Sequence, residues 1–560
     1  MNFATELEKR QSFTEQLYQS PYNVRLYLQR ADCHEALGFP DLAAGDAYKA
    51  LLLLDEAGDE SGEYHDQSYH TLETEIHEEV HTNGITAKSC VSSNRQPIEN
   101  LIQEYTTTTY RSLTRNLERC GCLKSAFDFC SRGLVLDPDD TTLQSQRTAI
   151  LQRNRRTQLR RTSAWDESTF DPKNDLPDEI TVRRELYPWN DHEPNRFSSA
   201  SLSFLNHEMG KVAPQCSVLA VTLPLLTEEG STITEPSARQ LGIFAREDIA
   251  PGSVVLHESS LLTANNRLHD PLCDACSSNL PSISTPEYLY ACSECDDTVF
   301  CSAQCLEAAM SSYHPSICGK DLDFIGRETG LKDTVNALYL LLLSRTMALA
   351  ETQGAHPLEL KETKYIWGDF IHPDSAYVYS SSASAFITAR HLPFSFTYNI
   401  LSPLHVLEKM DIDIFAELER YDIWIFNTLY AKFRGTASAR VSPRDGRPEV
   451  CAVHPMWCLA NHSCAPNVRW EWGGDIKFVA RDAENSVRWG PSKDDKGGEK
   501  WQGGIRKGEE VLNHYCDVEL DLTARREWAM GPLGGVCMCD RCKWEHKGVK
   551  HNRGLTLQDC

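Results

Sequence analysis

The sequence has no long apolar segment, and its basic residues are outnumbered. No stretch approaches the 18 or more uncharged apolar residues of a membrane-spanning helix, and residues 1–10 lack the apolar core of a secretory signal. Lys and Arg total 56 against 80 Asp and Glu, for a formal charge of -24. This excess of acid disfavours nucleic acid as a ligand and is compatible with a basic protein partner. We therefore expect no membrane contact and a cytoplasmic or nuclear location, or both.

Cysteine, in contrast, is abundant. The 560 residues include 21 cysteines, many of them grouped at spacings of two or three residues. In the reducing compartment expected here, such groups favour metal thiolates over disulfides. The length also predicts about three or four structural units, at roughly 100 to 200 residues per domain.

Residues 1–160 are expected to be helical, and two segments carry the small-residue spacing of tetratricopeptide repeats. The first segment has these residues at Ala31, Gly38, Ala43 and Ala50, and the second has them at Gly121, Ala126, Gly133 and Pro138. Small residues let two helices approach closely, and a helix would stop at the proline. Ordinary helical hairpins without a repeat function are the alternative.

A further stretch separates the two segments, because the equivalent residues Gly38 and Gly121 are 83 positions apart. Residues 55–82 hold ten acidic residues and no Lys or Arg, a composition that predicts a solvated loop or disorder. Two repeats are fewer than the roughly three that a stable stack needs, so we expect the helical repeats to bind a protein partner.

The rest of the chain combines strands and helices after a linker at 161–213. Apolar patterns predict strands at Val218–Leu226, Ile243–Ala245, Val468–Trp472 and Ile476–Ala480, and helices at Val335–Leu343 and Leu407–Lys432. Residues 490–504 have the Gly-rich and Lys-rich composition of a surface insertion. The sequence therefore predicts an α+β fold behind an N-terminal helical region.

Between residues 273 and 318, seven cysteines and one histidine form four close pairs. The pairs are Cys273 with Cys276, Cys292 with Cys295, Cys301 with Cys305, and His314 with Cys318. Two tetrahedral zinc ions require eight such ligands, and metal binding would itself drive folding of so small a segment. The spacing alone leaves open whether the pairs combine sequentially or interleave.

This block resembles the MYND zinc finger, including the aromatic Phe300 before Cys301. The resemblance implies interleaved pairs, with Cys273, Cys276, Cys301 and Cys305 on one zinc and Cys292, Cys295, His314 and Cys318 on the other. MYND fingers commonly bind proline-rich peptides, so such a peptide is an expected partner. A purely structural finger is the alternative.

Three further motifs follow near the end of the chain. They are Asn461–Asn467 (NHSCAPN), Gly508–Asp517 (GEEVLNHYCD) and the triplet Cys537, Cys539 and Cys542. The triplet offers three thiolates where a closed structural zinc needs four, and Cys464 completes the set. A three-ligand catalytic zinc with a bound water is the alternative.

The whole order, with Leu241–Ala245 and Asp248–Gly252 before the finger, resembles the SET-and-MYND lysine methyltransferases over residues 237–545. In that family the finger splits the SET domain, and a subset carries N-terminal repeats. The resemblance implies an α+β split SET fold. It also implies an S-adenosylmethionine-dependent enzyme that methylates a lysine of a protein substrate.

The resemblance assigns roles to single residues. Tyr515 matches the catalytic tyrosine, whose hydroxyl would hold the lysine nitrogen. Gly242, Asn461, His462 and Tyr515 match residues that hold S-adenosylmethionine, and Asn427 matches a residue of the substrate channel. A third zinc on Cys464, Cys537, Cys539 and Cys542 would tie the tail across the donor pocket, for about three zinc ions per chain.

Two positions depart from the family pattern. Gln240 replaces the first glycine of a Gly-x-Gly near the donor, and Leu533–Val536 stand where aromatic residues usually precede the last cysteines. These departures favour an alternative, a zinc-binding adaptor or transcriptional co-regulator with a degenerate SET domain.

The resemblance and the composition together predict the domain organisation. The predicted boundaries are 1–160 for the helical region with its acidic insertion at 55–82, 161–213 for the linker, 214–268 for the first SET part, 269–322 for the finger, 323–450 for the helical insert, 451–523 for the catalytic SET part, 524–548 for the zinc-binding tail and 549–560 for the C-terminal tail.

Overall fold

The computed structural model describes residues 3–82, 95–161, 169–182, 187–226, 232–266, 272–280, 290–295, 297–366, 392–490, 503–533 and 535–554. The chain divides into two units, Met1–Arg184 with His391–Asn427, and Glu185–Arg390 with Thr428–Cys560. Helices dominate the first unit, whereas short strands and helices mix in the second, so the mixed α and β class is confirmed. Within the described ranges, no helix combines the length and the apolar character needed to cross a bilayer.

Helices and short strands alternate along the described chain. The helices are α1 (Phe3–Gln19), α2 (Val24–Leu37), α3 (Pro40–Gly58), α4 (His65–Thr82), α5 (Arg95–Cys120), α6 (Leu123–Leu136), α7 (Thr141–Arg161), α8 (Pro172–Asp175), α9 (Ser199–Val212), α10 (Ala303–Ser312), α11 (Phe324–Arg327), α12 (Thr334–Gln353), α13 (Lys361–Lys364), α14 (Ser402–Lys409), α15 (Ile423–Thr436), α16 (Leu522–Leu533) and α17 (Asp540–Gly554). The strands are β1 (Glu179–Val182), β2 (Cys216–Leu226), β3 (Thr232–Ala245), β4 (Val254–Glu258), β5 (Thr263–Asn265), β6 (Tyr290–Ala291), β7 (Val299–Phe300), β8 (Leu392–Ser395), β9 (Ser438–Val441), β10 (Pro448–Ala452), β11 (Asn461–His462), β12 (Val468–Trp472), β13 (Ile476–Ala480) and β14 (Leu512–Asn513). Short 3-10 helices lie at His314–Ser316, Leu331–Asp333 and Trp457–Leu459, and a π-helical turn lies at Thr397–Leu401.

Two helical hairpins, α2 with α3 and α5 with α6, turn at glycines. Gly38 has φ 84° and Gly121 has φ 77°, a left-handed backbone that favours glycine. The N–H of Gly38 donates to the carbonyl of Glu35 at 3.0 Å, and that of Gly121 donates to Glu118 at 2.9 Å. The small residues predicted at the helix contacts, Ala31, Ala43, Ala50 and Ala126, are buried. The predicted turns are present, and their assignment to tetratricopeptide repeats stays a prediction.

The acidic segment 55–82 differs from its prediction. Residues 65–82 form α4 rather than a loop, with Leu72 and Glu75 buried. Arg25 of α2 pairs with the Glu75 carboxylate at 3.1 Å, and Tyr105 of α5 also donates to that carboxylate. A count of charges inside the segment omits these partners, which lie 50 and 30 positions away. The predicted loop is therefore wrong for residues 65–82.

Residues 392–427 belong to the first unit although the finger precedes them in sequence. Strand β8 pairs with β1 in antiparallel register, with Glu179 opposite Ser395. The helix predicted over Leu407–Lys432 is interrupted, because α14 ends at Lys409 and α15 begins at Ile423. Between them, Asp413 Oδ1 accepts the N–H of Phe415 at 2.8 Å, a local bond that competes with helix formation. The prediction of one continuous helix is therefore wrong for residues 410–422.

A buried ion network connects this segment to α2 and α3. The fully buried guanidinium of Arg30 donates to Asp46 at 2.9 Å and to Asp422 at 3.0 Å. His34 Nδ1 lies 3.0 Å from the same Asp46 carboxylate. Burial alone would raise the pKa of Asp46, but Arg30 and His34 hold it below its usual range. Two buried carboxylates thus depend on one buried guanidinium inside the first unit.

The second unit contains several small sheets. Strands β2 and β3 form a hairpin with Cys216 opposite Ala245, β13 lies between β12 and β4, β10 lies between β5 and β9, β6 pairs with β7, and β11 runs parallel to β14. The predicted strands at residues 218–226, 243–245, 468–472 and 476–480 lie within β2, β3, β12 and β13. Helix α9 falls in the range predicted as a linker, yet its Leu205 and Met209 belong to the core beneath these sheets. Most of the predicted insertion at 490–504 lies outside the described residues.

Candidate functional site

Two cysteine clusters lie in the finger segment of the second unit. Cluster A is Cys273, Cys276, Cys301 and Cys305, and cluster B is Cys292, Cys295, His314 and Cys318. Within each cluster the ligand atoms lie within 4.8 Å of one another. The structure therefore brings the four pairs together in interleaved order, which the spacing had left open.

Local backbone structure positions the thiols of cluster A. Ser302 caps α10, and its Oγ accepts the N–H of Cys305 at 3.1 Å. The Sγ of Cys301 then lies 3.6 Å from that of Cys305 and 3.6 Å from that of Cys276. Zinc with Zn–S bonds of about 2.3 Å in a tetrahedron requires sulfur separations of about 3.8 Å. The donor set thus fits zinc in both type and spacing.

The finger is anchored beside cluster A by a buried charge pair. Asp274 follows the first ligand, and its carboxylate accepts a hydrogen bond from Tyr313 at 2.8 Å and from Arg345 of α12 at 3.1 Å. The Arg345 guanidinium also lies 3.5 Å from the centre of the Tyr313 ring. The finger is therefore fixed to a helix of its own unit through Asp274.

Cluster C joins the tail to the NHSC motif. It consists of Cys464, Cys537, Cys539 and Cys542, whose sulfurs lie within 4.8 Å of one another. Cys464 Sγ is 3.8 Å from Cys537 Sγ and 3.4 Å from Cys542 Sγ. Arg541, between two of the ligands, donates to the carbonyl of Cys464 at 2.8 Å. Four thiols with this spacing also fit a tetrahedral zinc.

A fifth thiol beside cluster C was not predicted. Cys516 is buried with Cys464, and its sulfur lies within 4.8 Å of Cys464 Sγ and of a His462 ring nitrogen. The predicted clusters rest on cysteines at metal-ligand spacing, and Cys516 has no such neighbour. Its position directly after Tyr515 was the available signal, because it places a thiol next to the predicted catalytic residue.

Tyr515 is held at the end of the parallel pair of strands β11 and β14. The N–H of Ser463 donates to the carbonyl of Asn513 at 2.7 Å, which aligns the two motifs. The hydroxyl of Tyr515 donates to the carbonyl of Ala460 at 2.8 Å. Burial raises the pKa of this hydroxyl above its usual value, so the group is neutral at pH 7. Its oxygen therefore keeps lone pairs that accept a hydrogen bond.

His462 connects Tyr515 to cluster C. The N–H of Tyr515 donates to His462 Nδ1 at 3.0 Å, so Nδ1 acts as the acceptor. In the neutral ring the proton then resides on Nε2, which lies 3.4 Å from Cys464 Sγ. Burial lowers the pKa of His462 to about 4, which favours this neutral form. His462 is thus a hydrogen-bond donor to a cluster C sulfur.

Asn461, Gly242 and Glu510 meet beside β11. The Nδ2 of Asn461 donates to the carbonyl of Leu241 at 3.0 Å and to Glu510 Oε1 at 2.6 Å. A Cβ on Gly242 would lie 2.5 Å from Glu510 Oε1 and 3.0 Å from Asn461 Nδ2, so this close approach requires glycine. Burial raises the pKa of Glu510, while its bond to Asn461 opposes the rise.

The two departures from the family pattern have structural partners. Gln240 Oε1 accepts a hydrogen bond from Arg196, a residue that precedes α9. Gly535 comes after α16 in the chain and packs against the end of β2. A Cβ at this position would lie 2.8 Å from the backbone of Leu226. Gly534 lies outside the described residues. Packing thus explains the glycine at 535, where an aromatic side chain would clash.

Asn427, predicted in the substrate channel, is a buried residue at the last position of the first unit. Its Nδ2 donates to Asp41 Oδ2 at 3.0 Å, and its Oδ1 accepts from Asn399 Nδ2 at 3.0 Å. These contacts give Asn427 a packing role within the helical unit. Its place in a substrate channel stays a prediction.

No protein-family model matches this sequence, and a search of curated proteins finds no relative. The function is therefore argued from the residues and their geometry.

Proposed function

We propose that the protein is an S-adenosylmethionine-dependent protein-lysine methyltransferase, with a SET core split by a MYND finger and with N-terminal tetratricopeptide-like repeats. The observation that carries the proposal is the neutral, partly enclosed hydroxyl of Tyr515, bonded to Ala460 directly before the Asn461–His462 strand. The geometry of Gly242 beside Asn461 supports the proposal, because a bound donor needs close access to backbone.

Methyl transfer to an amine is an in-line displacement, so the chain must orient a neutral amine and exclude water. S-adenosylmethionine supplies the methyl group when it is bound at Gly242, Asn461 and His462. The Tyr515 oxygen, whose proton is directed to Ala460, accepts an N–H of the substrate amine. This bond aims the nitrogen lone pair at the methyl carbon, and an enclosed site favours the uncharged amine.

The three clusters act as structural zinc sites in this proposal. Closed thiolate sites are usually structural, and cluster C fastens residues 537–542 to the NHSC motif. The Nε2 proton of His462 stabilises the Cys464 thiolate, while its Nδ1 positions the Tyr515 backbone. Zinc binding in cluster C and the orientation of Tyr515 are therefore coupled.

The remaining modules provide binding surfaces. The finger is proposed to bind a proline-rich peptide, and the helical unit is proposed to bind a protein partner. The acidic chain, with a formal charge of -24, favours a basic substrate segment around the target lysine.

The test is Tyr515→Phe in the full-length, zinc-loaded protein. We expect methyl transfer to a pool of lysine-containing proteins to fall at least about tenfold, since a positioned proton-handling group contributes at least that much. Calorimetry should show nearly unchanged S-adenosylmethionine binding. Tyr339→Phe on α12 is the matched control and should retain activity. Equal activity of Tyr515→Phe and the wild type would remove the catalytic role of Tyr515.

A second candidate is a zinc-bearing adaptor with a degenerate SET domain. It is favoured by one observation, namely that the Asn461 amide already bonds Leu241 and Glu510 while Gln240 bonds Arg196. Calorimetry separates the two candidates. Saturable S-adenosylmethionine binding that Asn461→Ala abolishes supports the enzyme, and no binding to folded, zinc-loaded protein supports the adaptor.

A further inference from the structure

Five thiols converge where one tetrahedral metal ion needs four. Cluster C supplies Cys464, Cys537, Cys539 and Cys542, and Cys516 adds a fifth sulfur within 4.8 Å of Cys464 Sγ. Cys516 is only 3% exposed and packs among the same buried residues as cluster C. An apolar residue would fill that core position equally well, so the thiol calls for a chemical explanation.

We propose that Cys516 is a redox site, which forms a disulfide with Cys464 when a peroxide oxidises cluster C and thereby releases the metal ion. The inference rests on the zinc sites of the proposed function and not on methyl transfer. Cys539 is partly exposed at the edge of the cluster, whereas Cys464 is fully buried, so we expect only an oxidant as small as hydrogen peroxide to reach Cys464.

The chemistry balances with peroxide as the oxidant. The Cys464 thiolate attacks one peroxide oxygen, the O–O bond breaks, and a sulfenic acid and hydroxide form. The Cys516 sulfur then attacks the sulfenic sulfur, the S–O bond breaks, and the Cys516 proton leaves in a water molecule. Two thiols lose two electrons in total, and peroxide gains them. Cys464 is then no longer a thiolate, and the metal ion loses a ligand.

Position and bonding favour Cys516 as the resolving thiol. The sulfurs of Cys537 and Cys542 are also near Cys464, but in the proposed zinc site they would be ligands of the metal ion. Cys516 is outside this four-thiol group, and its sulfur lies within 4.8 Å of Cys464 Sγ. Among the five thiols, it is the one that a four-coordinate zinc on Cys464, Cys537, Cys539 and Cys542 would leave unbound.

The disulfide would act on the neighbouring Tyr515 site through two bonds. Cys516 follows Tyr515 in the chain, and His462 bonds both the Tyr515 N–H and Cys464 Sγ. A change in the position of Cys464 or Cys516 therefore shifts the backbone that carries the Tyr515 hydroxyl. Oxidation and zinc loss would switch that site off, and thiol reductant with zinc would restore it.

The experiment treats full-length, zinc-loaded protein with hydrogen peroxide near one equivalent and follows released zinc with a chromogenic indicator. Alkylation and peptide mass spectrometry then locate the disulfides. The expected result is loss of one zinc per chain with a Cys464–Cys516 peptide. Cys516→Ser cannot form that peptide and should instead retain Cys464 as a sulfenic acid, which dimedone labels in the intact protein. Cys216→Ser, with the same 3% exposure in β2, is the matched control and should behave like the wild type.

Three outcomes overturn the inference. They are formation of a Cys464 disulfide in Cys516→Ser at the wild-type rate, disulfides confined to Cys464, Cys537, Cys539 and Cys542, and a Cys516 that stays alkylatable after zinc has left. Mapping on the unaltered chain decides the question even if Cys516→Ser folds poorly. Neither readout uses donor or substrate, so a failure of the methyltransferase proposal would be recorded separately.

Discussion

The two units of this chain are stabilised by different kinds of interaction. In the first unit, helices pack around small residues, and a buried ion network joins residues far apart in sequence, with Arg30 and Asp422 separated by 392 positions. In the second unit, strands as short as two residues surround metal-ligand clusters whose members mostly lie close together in sequence. The first unit thus contains a long-range buried ion network, and the second contains cysteine clusters that could hold metal ions.

This difference determines how each unit responds to a local change. The finger and tail segments contain little regular structure beyond short elements, so we expect zinc binding at their clusters to contribute much of their stability. The buried carboxylates Asp46 and Asp422 share the Arg30 guanidinium, and its loss would leave Asp422 without that ion pair and Asp46 with only His34 of the network. Four experiments would test the contrast.

The largest expected effect is that of metal removal. Purified protein should contain about three zinc ions per chain, and a strong chelator should unfold the finger and the tail, since structural zinc contributes about 10 to 16 kcal/mol to folding of small sites. Protease mapping should show new cleavage in 269–322 and 535–548, while α2 to α7 stay protected. Added zinc should reverse the change. If the chelator exposed α2 to α7 to cleavage as much as the finger and the tail, the contrast between the units would be wrong. A content of about two zinc ions per chain would show that cluster C does not bind zinc.

The next effect concerns Arg30. Arg30→Met should destabilise the first unit by about 3 to 5 kcal/mol, because it removes the guanidinium shared by two buried carboxylates and leaves only His34 beside Asp46. The shift is measured as the urea midpoint for loss of helical signal. Lys9→Met is the control, because its pair with Glu6 is exposed at the lysine and should contribute little to stability. Equal midpoints for the two variants would show that the network contributes no more than a surface pair.

A smaller, pH-dependent effect is expected at Glu258 in the second unit. Its carboxylate accepts the N–H groups of Met456 at 3.0 Å and Trp457 at 2.8 Å. Burial raises the pKa of Glu258 from 4.5 to about 7, although both bonds oppose the rise. The folded state thus binds the proton more tightly than the unfolded state. The resulting contribution to the free energy of unfolding is fully present below pH 4.5 and is lost as the pH rises towards 7.

Glu258→Gln removes this titration. As the pH rises from about 4.5 to 7, the wild type should lose about 3 kcal/mol of unfolding free energy relative to the variant. Urea midpoints at several pH values measure it. The exposed Glu527→Gln is the control and should follow the wild type. Parallel curves for Glu258→Gln and the wild type would show that Glu258 does not titrate in this window.

The smallest effect concerns the hairpin turns of the first unit. Gly38→Ala should cost about 1 kcal/mol, because the left-handed backbone at φ 84° strains any side chain. Gly58→Ala in α3 is the matched control, because a Cβ there meets nothing within 4 Å and alanine favours a helix. Thermal melting should move in opposite directions for the two variants. A shift of the same sign in both would contradict the role of backbone strain at Gly38.

Local patterns made part of the fold and the site predictable. The strands at 218–226 and 468–472 follow from apolar periodicity, and the four close ligand pairs of the finger follow from cysteine spacing, whereas the interleaving of those pairs was implied by the family resemblance. What the sequence did not predict depends on distant partners. Residues 65–82 form α4, in which Arg25 and Tyr105 bind the Glu75 carboxylate. The helix break before Ile423 accompanies the burial of Asp422 against Arg30. Cys516 escaped notice because its neighbour Cys464 is distant in sequence.

The separation between Arg30 and Asp422 also bears on how the chain is made. Arg30 has its first carboxylate partner, Asp46, 16 residues away, but its second partner, Asp422, is absent until the ribosome has translated 392 residues beyond Arg30. At about 5 to 20 residues per second, that interval is about 20 to 80 seconds. During it, α2 and α3 lack their contacts with residues 410–427, so we expect the first unit to complete its packing only after most of the chain has been synthesised.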